Sequence, residues 1–389
     1  MTVCPLFERD PGIQPEGSVV VAMSGGVDSS VAALLVHQAG YPAIGVSMQV
    51  WDYRNHGGAS SRATCCAPDD FTDARKVASR IGIPYYVFDF EDTFRREVID
   101  KFVSAYERGE TPNPCVDCNN KVKFRELRAR AATFGGGTVA TGHYARVVHD
   151  EAGSHLLRGV DPAKDQSYFL YGLLPGELKK TLFPIGHLTK PEVREMAREA
   201  GLVTAEKSES QDICFVSGSA KDFVERIGRR GAQRGAIIAR SGEKLGEHDG
   251  IHGFTVGQRR GIGVGGSAEP LYVLSIDATT GHVTVGPKAA LEVDEFAVGA
   301  LNWVAPQILA TVARPEGARR FRALAQLRHR HPGVPVEVTV RPDGSAIARF
   351  VDGWTPVTPG QAAVFYDESN VEVLGGGTII NSVSHSIEP

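Results

Sequence analysis

The chain predicts a doubly wound α/β domain with a parallel sheet, followed by two smaller β-rich domains, the last of them β-barrel-like. Three observations carry this expectation. Near-continuous apolar runs alternate with helical patterns in the first half, which is how a parallel sheet covered on both faces reads. The first strand-to-helix junction is the Gly- and Ser-rich loop "SGGVDSS", residues 24–30. After about residue 210 short strands recur between Gly, Pro and Asp turns instead.

In chain order, the strand "SVVVAMS" feeds the helix "SVAALLVHQAG", and "YPAIGVSMQV" precedes "DARKVASRIG". Next come "IPYYVFDF" with "TFRREVIDKFVSAYERG", then a fourth strand, "GGTVATGH". The stretch "DYRNHGGASSRATCCAPDD" has no periodicity and reads as a surface loop. Past residue 210 helical periodicity is read only in "SAKDFVERIG", whereas "GAIIAR", "LYVLSID", "HVTVGP", "VEVTV" and "AIARFV" read as strands. The expected division is a loose arm at 1–15, an α/β domain at 16–210 that carries the Gly- and Ser-rich loop, a central β-rich domain at 211–289 and a C-terminal barrel-like domain at 290–389.

With 389 residues, 42% of them hydrophobic and 23% charged, the chain can bury two or three cores. Its first residues lack a basic-then-apolar leader, and no segment stays apolar for about 18 residues. A cytoplasmic location away from membranes is expected. Six cysteines, Cys4, Cys65, Cys66, Cys115, Cys118 and Cys214, are too sparse for a disulfide-stapled secreted domain. The formal net charge of -4 excludes a globally basic protein but not local patches. "KVKFRELRAR", "RIGRRGAQR", "GQRR" and "ARRFRALAQLRHRH" are such basic islands, suited to a phosphate backbone.

The glycine-rich loop suits phosphate. Gly25 and Gly26 permit a tight turn, helix-terminal N–H groups point outward, and Ser24, Ser29 and Ser30 add hydroxyls. Asp28 would repel a bare phosphate, so it makes sense as a recruiter of Mg²⁺. The loop lacks the lysine of a Walker loop, which argues against γ-phosphoryl transfer of that kind. Further on, Cys118 in "TPNPCVDCNN" is expected just before a helix whose buried face is Phe124, Leu127 and Ala131. A helix start and the nearby Lys121 and Lys123 would favour its thiolate. Cys214 is expected on a short apolar-flanked strand, "SQDICF", beginning the second domain.

"SGGVDSS" is similar to the pyrophosphate loop of the N-type ATP pyrophosphatases, a HUP-like fold whose members cleave ATP between the α and β phosphates. "TPNPCVDCNNKVKF", "TGHYAR" with "DPAKDQSYFL", "SESQDICF" and "GFTVGQRRGIGVG" follow in this order. Together they resemble the bacterial tRNA-specific 2-thiouridylase family from about residue 19 to 380. The resemblance implies ATP-dependent conversion of the wobble uridine, position 34 of tRNA, to 2-thiouridine: O2 is adenylated and sulfur then displaces AMP.

On this resemblance Ala22, Met23, Ser24, Gly25, Gly26, Val27, Asp28, Ser29, Met48 and Gly142 bind ATP. Cys118 is the nucleophile, and Cys214 carries a persulfide or pairs with Cys118 in a disulfide. Asn113, Pro114 and Cys115 surround the flipped base. Lys164, Asp165 and Gln166, with Arg328 and His329, contact tRNA. Implied partners are the anticodon stem-loop and a cysteine desulfurase or sulfur-relay protein, with the enzyme acting on tRNA as a monomer.

Cys115 departs from the family pattern, where an aspartate stands three residues before the nucleophile. Asp117 is one substitute, although on an extended loop it would point elsewhere. Alternatively Cys115 resolves a persulfide or disulfide on Cys118, or joins Cys118 and Cys214 as an iron-sulfur ligand. No zinc is expected, since the other cysteines supply no second C-x-x-C. Met48 and Gly142 also read as packing and turn residues, and His143 and His252 as structurally satisfied histidines. Two other functions compete: an amidating ATP pyrophosphatase, for which no ammonia-supplying domain is found, and an RNA-binding module with a structural metal.

Overall fold

The four strands expected in the first half join one parallel sheet in the computed structural model, which describes residues 17–51, 68–208, 213–216, 218–228, 234–265, 269–313 and 319–383. The expected arm, most of the aperiodic loop, Cys4, Cys65 and Cys66 lie outside the described residues. Strand β1 (Val19–Ala22) is central and leads into α1 (Val27–Gln38). Then come β2 (Ala43–Gln49), α2 (Pro68–Ile81) and β3 (Tyr85–Asp89). A helical stretch comes next, formed by α3 (Glu91–Phe94), a π-helical segment (Arg95–Ile99) and α4 (Asp100–Glu107). A second consists of α5 (Pro114–Asp117), a π-helical segment (Cys118–Glu126) and α6 (Leu127–Ala132). After β4 (Thr138–Thr141) come a hairpin, β5 (Ala145–His149) with β6 (Ser154–Arg158), then α7 (Pro175–Leu178), β7 (Thr181–Leu182) and α8 (Lys190–Glu199).

The strand order β3-β2-β1-β4-β7 is parallel throughout. One sheet face buries Val19, Val21 and Ala140 against α1, α2 and α8. The other buries Val20, Val46 and Val139 with Phe124 and Leu127. Both faces being covered explains why these strands read as apolar runs.

Beyond α9 (Ala220–Ile227) a four-stranded sheet has the order β10-β11-β8-β9, from β8 (Gly235–Ala239), β9 (Lys244–His248), β10 (Tyr272–Asp277) and β11 (His282–Gly286). The last unit is a closed six-stranded barrel, β12-β15-β14-β13-β16-β17. Its strands are β12 (Glu295–Trp303), β13 (Arg319–Gln326), β14 (Val334–Val340), β15 (Ala346–Phe350), β16 (Ala362–Tyr366) and β17 (Val373–Val383), with α10 (Pro306–Val312) after β12. Closure removes the edges that an open sheet would expose. The barrel shares a core with the first unit, because Val304, Ala362, Val364, Tyr366 and Val373 belong to the cluster that holds Val20 and Phe124. No helix among the described residues is long and apolar enough to cross a membrane.

Four local expectations are corrected by the fold. Cys118 does not precede its helix; the helix starts at Pro114, because proline at the first position has its φ already set and lacks only an N–H that needs no partner there. Asp117 is consequently helical rather than extended. Cys214 lies in a turn closed by Val216 N–H on Ile213 O, not in a strand, since the apolar side chains of this segment pack on helices and no strand pairs with it. Helices α8 and α10 add to the elements the periodicity predicts: α8 begins with a Thr189–Glu192 capping box and Pro191, and α10 is short and starts at Pro306.

Candidate active site

The site grows from the carboxyl end of β1, the strand flanked by β2 on one side and β4 on the other, where doubly wound sheets open a crevice. Ala22 ends the strand and buried Met23 follows it, its N–H donating to Val46 O at 2.8 Å. Gly25 turns with φ +73°, and a Cβ there would lie 2.3 Å from Asp70 O. Gly26 caps α1 and buried Val27 is its first residue. Ser29 Oγ accepts from Ser24 N–H at 3.1 Å and donates to Gly26 O at 3.1 Å, so the loop is folded around its own hydroxyl. Gly142 has a packing reason: a Cβ would lie 2.6 Å from Ser29 N. Met48 is half-buried between two clusters beside this crevice.

Asp28 holds the feature that sequence reasoning missed. Lys190 Nζ donates to both carboxylate oxygens, at 2.7 and 2.8 Å, and Tyr144 Oη donates to Oδ1 at 2.9 Å. Lys190 is 7% exposed and opens α8. A second lysine, Lys207, bonds Asp70 at 2.6 Å and Asp73 at 2.7 Å, and Asp70 O backs Gly25. A lysine from far along the chain is thus brought against a loop that carries none of its own. The only sequence signal for it is "HLTKPEVREMAREAG", a capped amphipathic helix beginning at that lysine.

Cys118 and Cys214 pack against one hydrophobic cluster, built from Val50, Trp51, Phe94, Phe102, Val122 and Phe223. Phe215, beside Cys214, packs edge-on against Phe94 at 5.6 Å and Phe102 at 5.3 Å. Both thiols are half-buried, whereas Cys115 is exposed. Among the described residues no three His, Cys, Asp or Glu side chains gather as metal ligands, so Cys115, Cys118 and Cys214 do not form a preassembled cluster site. Lys121, expected to favour the thiolate, instead pairs with Asp117 at 2.7 Å. Asn113, Pro114, Asp117 and Lys121 line a cleft of about 720 Å³ that Asn302 and Thr378 of the barrel also line.

The segment 164–166 and the pair Arg328–His329 meet at the barrel. His329 packs 4.5 Å from Phe169, and burial lowers its pKa. Two members of the triplet direct their side chains inward. Asp165 pairs with Arg158 at 2.6 Å and accepts from Ser167 Oγ, while Gln166 Oε1 accepts from Tyr144 N–H at 3.0 Å. Lys164 is half-buried, and Arg328 is exposed. Gln166, Tyr144, Asp28 and Lys190 form a continuous bonded chain from this segment to the Gly- and Ser-rich loop. His143 is a satisfied core residue: Nδ1 is 2.8 Å from Thr141 Oγ1, and burial holds its pKa well below the ordinary value.

Residues 17–218 match the family model described as tRNA methyl transferase HUP domain. Residues 221–287 match tRNA methyl transferase PRC-barrel domain, and 293–379 match Aminomethyltransferase beta-barrel domain. The chain is similar to a tRNA-specific 2-thiouridylase MnmA of Geotalea uraniireducens, 49% identical over 372 residues that cover 94% of this chain and 96% of that protein. A protein of the same name from Rhodospirillum rubrum is 47% identical over 370 residues, covering 93% and 96%. Another from Rickettsia massiliae is 43% identical over 370 residues, covering 95% and 98%.

Proposed function

The chain belongs to the tRNA-specific 2-thiouridylase family, and from that membership we propose that it converts the wobble uridine of tRNA to 2-thiouridine, using ATP to activate C2 and a cysteine-bound sulfur to replace O2. The observation that carries the sulfur step is the packing of Cys118 and Cys214, far apart in sequence, on one hydrophobic cluster.

Uridine O2 is a poor leaving group. In the first step O2 attacks the α-phosphorus of ATP, the α–β bridging P–O bond breaks and pyrophosphate leaves. The Ala22–Ser29 loop and the first turn of α1 cradle the phosphates. Lys190, next to Asp28, is the cation that would pass to the departing pyrophosphate. Asp28 retains carboxylate acceptor capacity beyond its Lys190 and Tyr144 bonds and fits as a Mg²⁺ ligand; the ion would supply further charge neutralisation there. Met48 and Gly142 flank the adenosine side.

In the second step Cys118 sulfur attacks the inner sulfur of a Cys214 persulfide. The S–S bond breaks, the terminal sulfur adds to C2, and AMP leaves with O2. A Cys118–Cys214 disulfide remains, and a thiol reductant returns both cysteines to thiols. Asn113, Pro114 and Cys115 border the flipped base, while Lys164, Arg328 and His329 engage the anticodon stem-loop. Asp165 and Gln166 shape that surface through their internal bonds. The three units, at 16–210, 211–289 and 290–389, act as a monomeric clamp, and a cysteine desulfurase or relay protein loads Cys214.

The matched models are described by methyl transfer and the relatives by thiolation. A phosphate-cradling loop and two thiols packed against one cluster favour thiolation, since methyl transfer needs neither. The test incubates protein with ATP, Mg²⁺, a persulfide donor and unmodified tRNA, then analyses nucleosides by mass spectrometry. Wild type yields a sulfur-for-oxygen change, and folded Cys118→Ser and Cys214→Ser yield none. Normal product from Cys214→Ser overturns the relay, and an added methyl overturns the reaction.

A further inference from the structure

We infer that Gln361 of the barrel is a positioning residue for the Cys118 helix, acting through the stiff segment Thr111–Pro114; this deepens the thiolation reading and rests on it. Gln361 Nε2 donates to Thr111 O at 2.9 Å and also reaches Pro112 O at 3.3 Å. Thr111 N–H donates to Pro359 O at 2.9 Å. Between them Gly360, at φ +88°, lies so close that a Cβ would be 2.9 Å from Thr111 N. The 359–361 turn is itself fixed to β17, since Gly360 N–H donates to Ile379 O and Ile379 N–H to Gln361 O. A third unit joins at the same point: Thr111 Oγ1 is 3.2 Å from Thr255 Oγ1 of the central domain, and Thr358 Oγ1 donates to Val256 O at 3.2 Å.

The residues after Thr111 transmit position. In "TPNP" each proline has a fixed φ and confines the residue before it to extended backbone, as Asn113 shows at φ -112°, ψ 90°. Pro114 is then the first residue of the helix that presents Cys118 one turn later. Thr111 therefore anchors a short strut with little freedom to bend. Pro112, Asn113, Pro114 and Gly360 all line the cleft in front of that helix. The barrel, which also bears Arg328 and His329, is in this way mechanically tied to the loop that borders the reacting base.

Gln361→Glu keeps the side chain's shape but removes the N–H donors, leaving a carboxylate against two carbonyl oxygens. The test uses the full chain. Site-resolved alkylation, read by mass spectrometry without RNA, is expected to label Cys118 at least about threefold faster in Gln361→Glu than in wild type, under conditions where both remain folded by circular dichroism. In turnover, kcat is expected to fall about tenfold with KM for tRNA unaltered, the signature of a misplaced reacting group rather than lost binding. Cys118 labelling less than about threefold faster than wild type overturns the proposal, and so does a rise in KM for tRNA with kcat intact. If Gln361→Glu does not fold, Pro112→Gly softens the strut directly and must give the same faster labelling; unchanged labelling overturns the proposal there too. Labelling needs no turnover, so it decides the positioning even if wild type makes no 2-thiouridine.

Discussion

Asp28 and Lys190 neutralise one another at 2.7 Å with the lysine almost wholly buried, so removing the cation leaves an unpaired carboxylate in the loop proposed to cradle phosphate. Lys190→Met is therefore expected to raise KM for ATP at least about tenfold, measured by pyrophosphate release at saturating tRNA. An unchanged KM would show that the lysine serves α8 alone. The basic residues near the thiol behave differently from their sequence reading. Lys121 is held by Asp117, and Arg128 turns inward to Glu177 O at 3.1 Å and Thr181 Oγ1 at 2.9 Å, where burial lowers its pKa. Charge in a sequence window marks capacity, and hydrogen-bond partners decide whether it faces RNA.

At the scale of elements, the packing of β4 against the start of α1 depends on Gly142. A methyl group there meets backbone at 2.6 and 2.7 Å, which cannot yield as a flexible side chain would. Gly142→Ala is expected to destabilise the protein by about 1–3 kcal/mol and to impair ATP binding, as checked by denaturant unfolding and nucleotide titration. The strands of the first sheet are legible in the sequence because both their faces are buried and their apolar runs are continuous. Cys214 reads as strand because apolar flanks look alike whether they join a sheet or cover helices; here Phe215 inserts between Phe94, Phe102 and Phe223. Helix α10 is only 7 residues long, too short for its periodicity to register.

Across the whole molecule, the hairpin of the first unit is clasped to the barrel. Arg158 reaches Asp165, Gln326 and Asn370 at 2.6–2.8 Å and lies over the Tyr366 ring at 3.5 Å. Its loss leaves Asp165, with 8% of its side chain exposed, as an unpaired buried charge. Arg158→Ala is expected to cost about 3–5 kcal/mol in denaturant unfolding. His155 adds a pH-dependent contact, 2.7 Å from Glu372 of the barrel and 3.1 Å from Asp150. Burial alone would lower its pKa, but the hydrogen bonds and charges of Glu372 and Asp150 outweigh burial and raise it. The stabilisation is therefore full below the unfolded histidine's value of about 6.5 and is lost as pH rises through the higher folded value. Thermal midpoints measured across that window should fall more steeply for wild type than for His155→Gln.

By itself the sequence determined the two β-rich units after a parallel α/β domain and the Gly- and Ser-rich loop that carries Asp28. These are local matters of apolar period, turn residues and short motifs, which act within a few residues of one another. Only the tertiary structure decided that Lys190, 162 positions away, meets Asp28, and that Asp165 and Gln166 turn inward. It also decided that the barrel grips Thr111 through Gln361, 250 positions away. Such contacts depend on which surfaces the folded chain brings together, and no periodicity in a window of sequence records them.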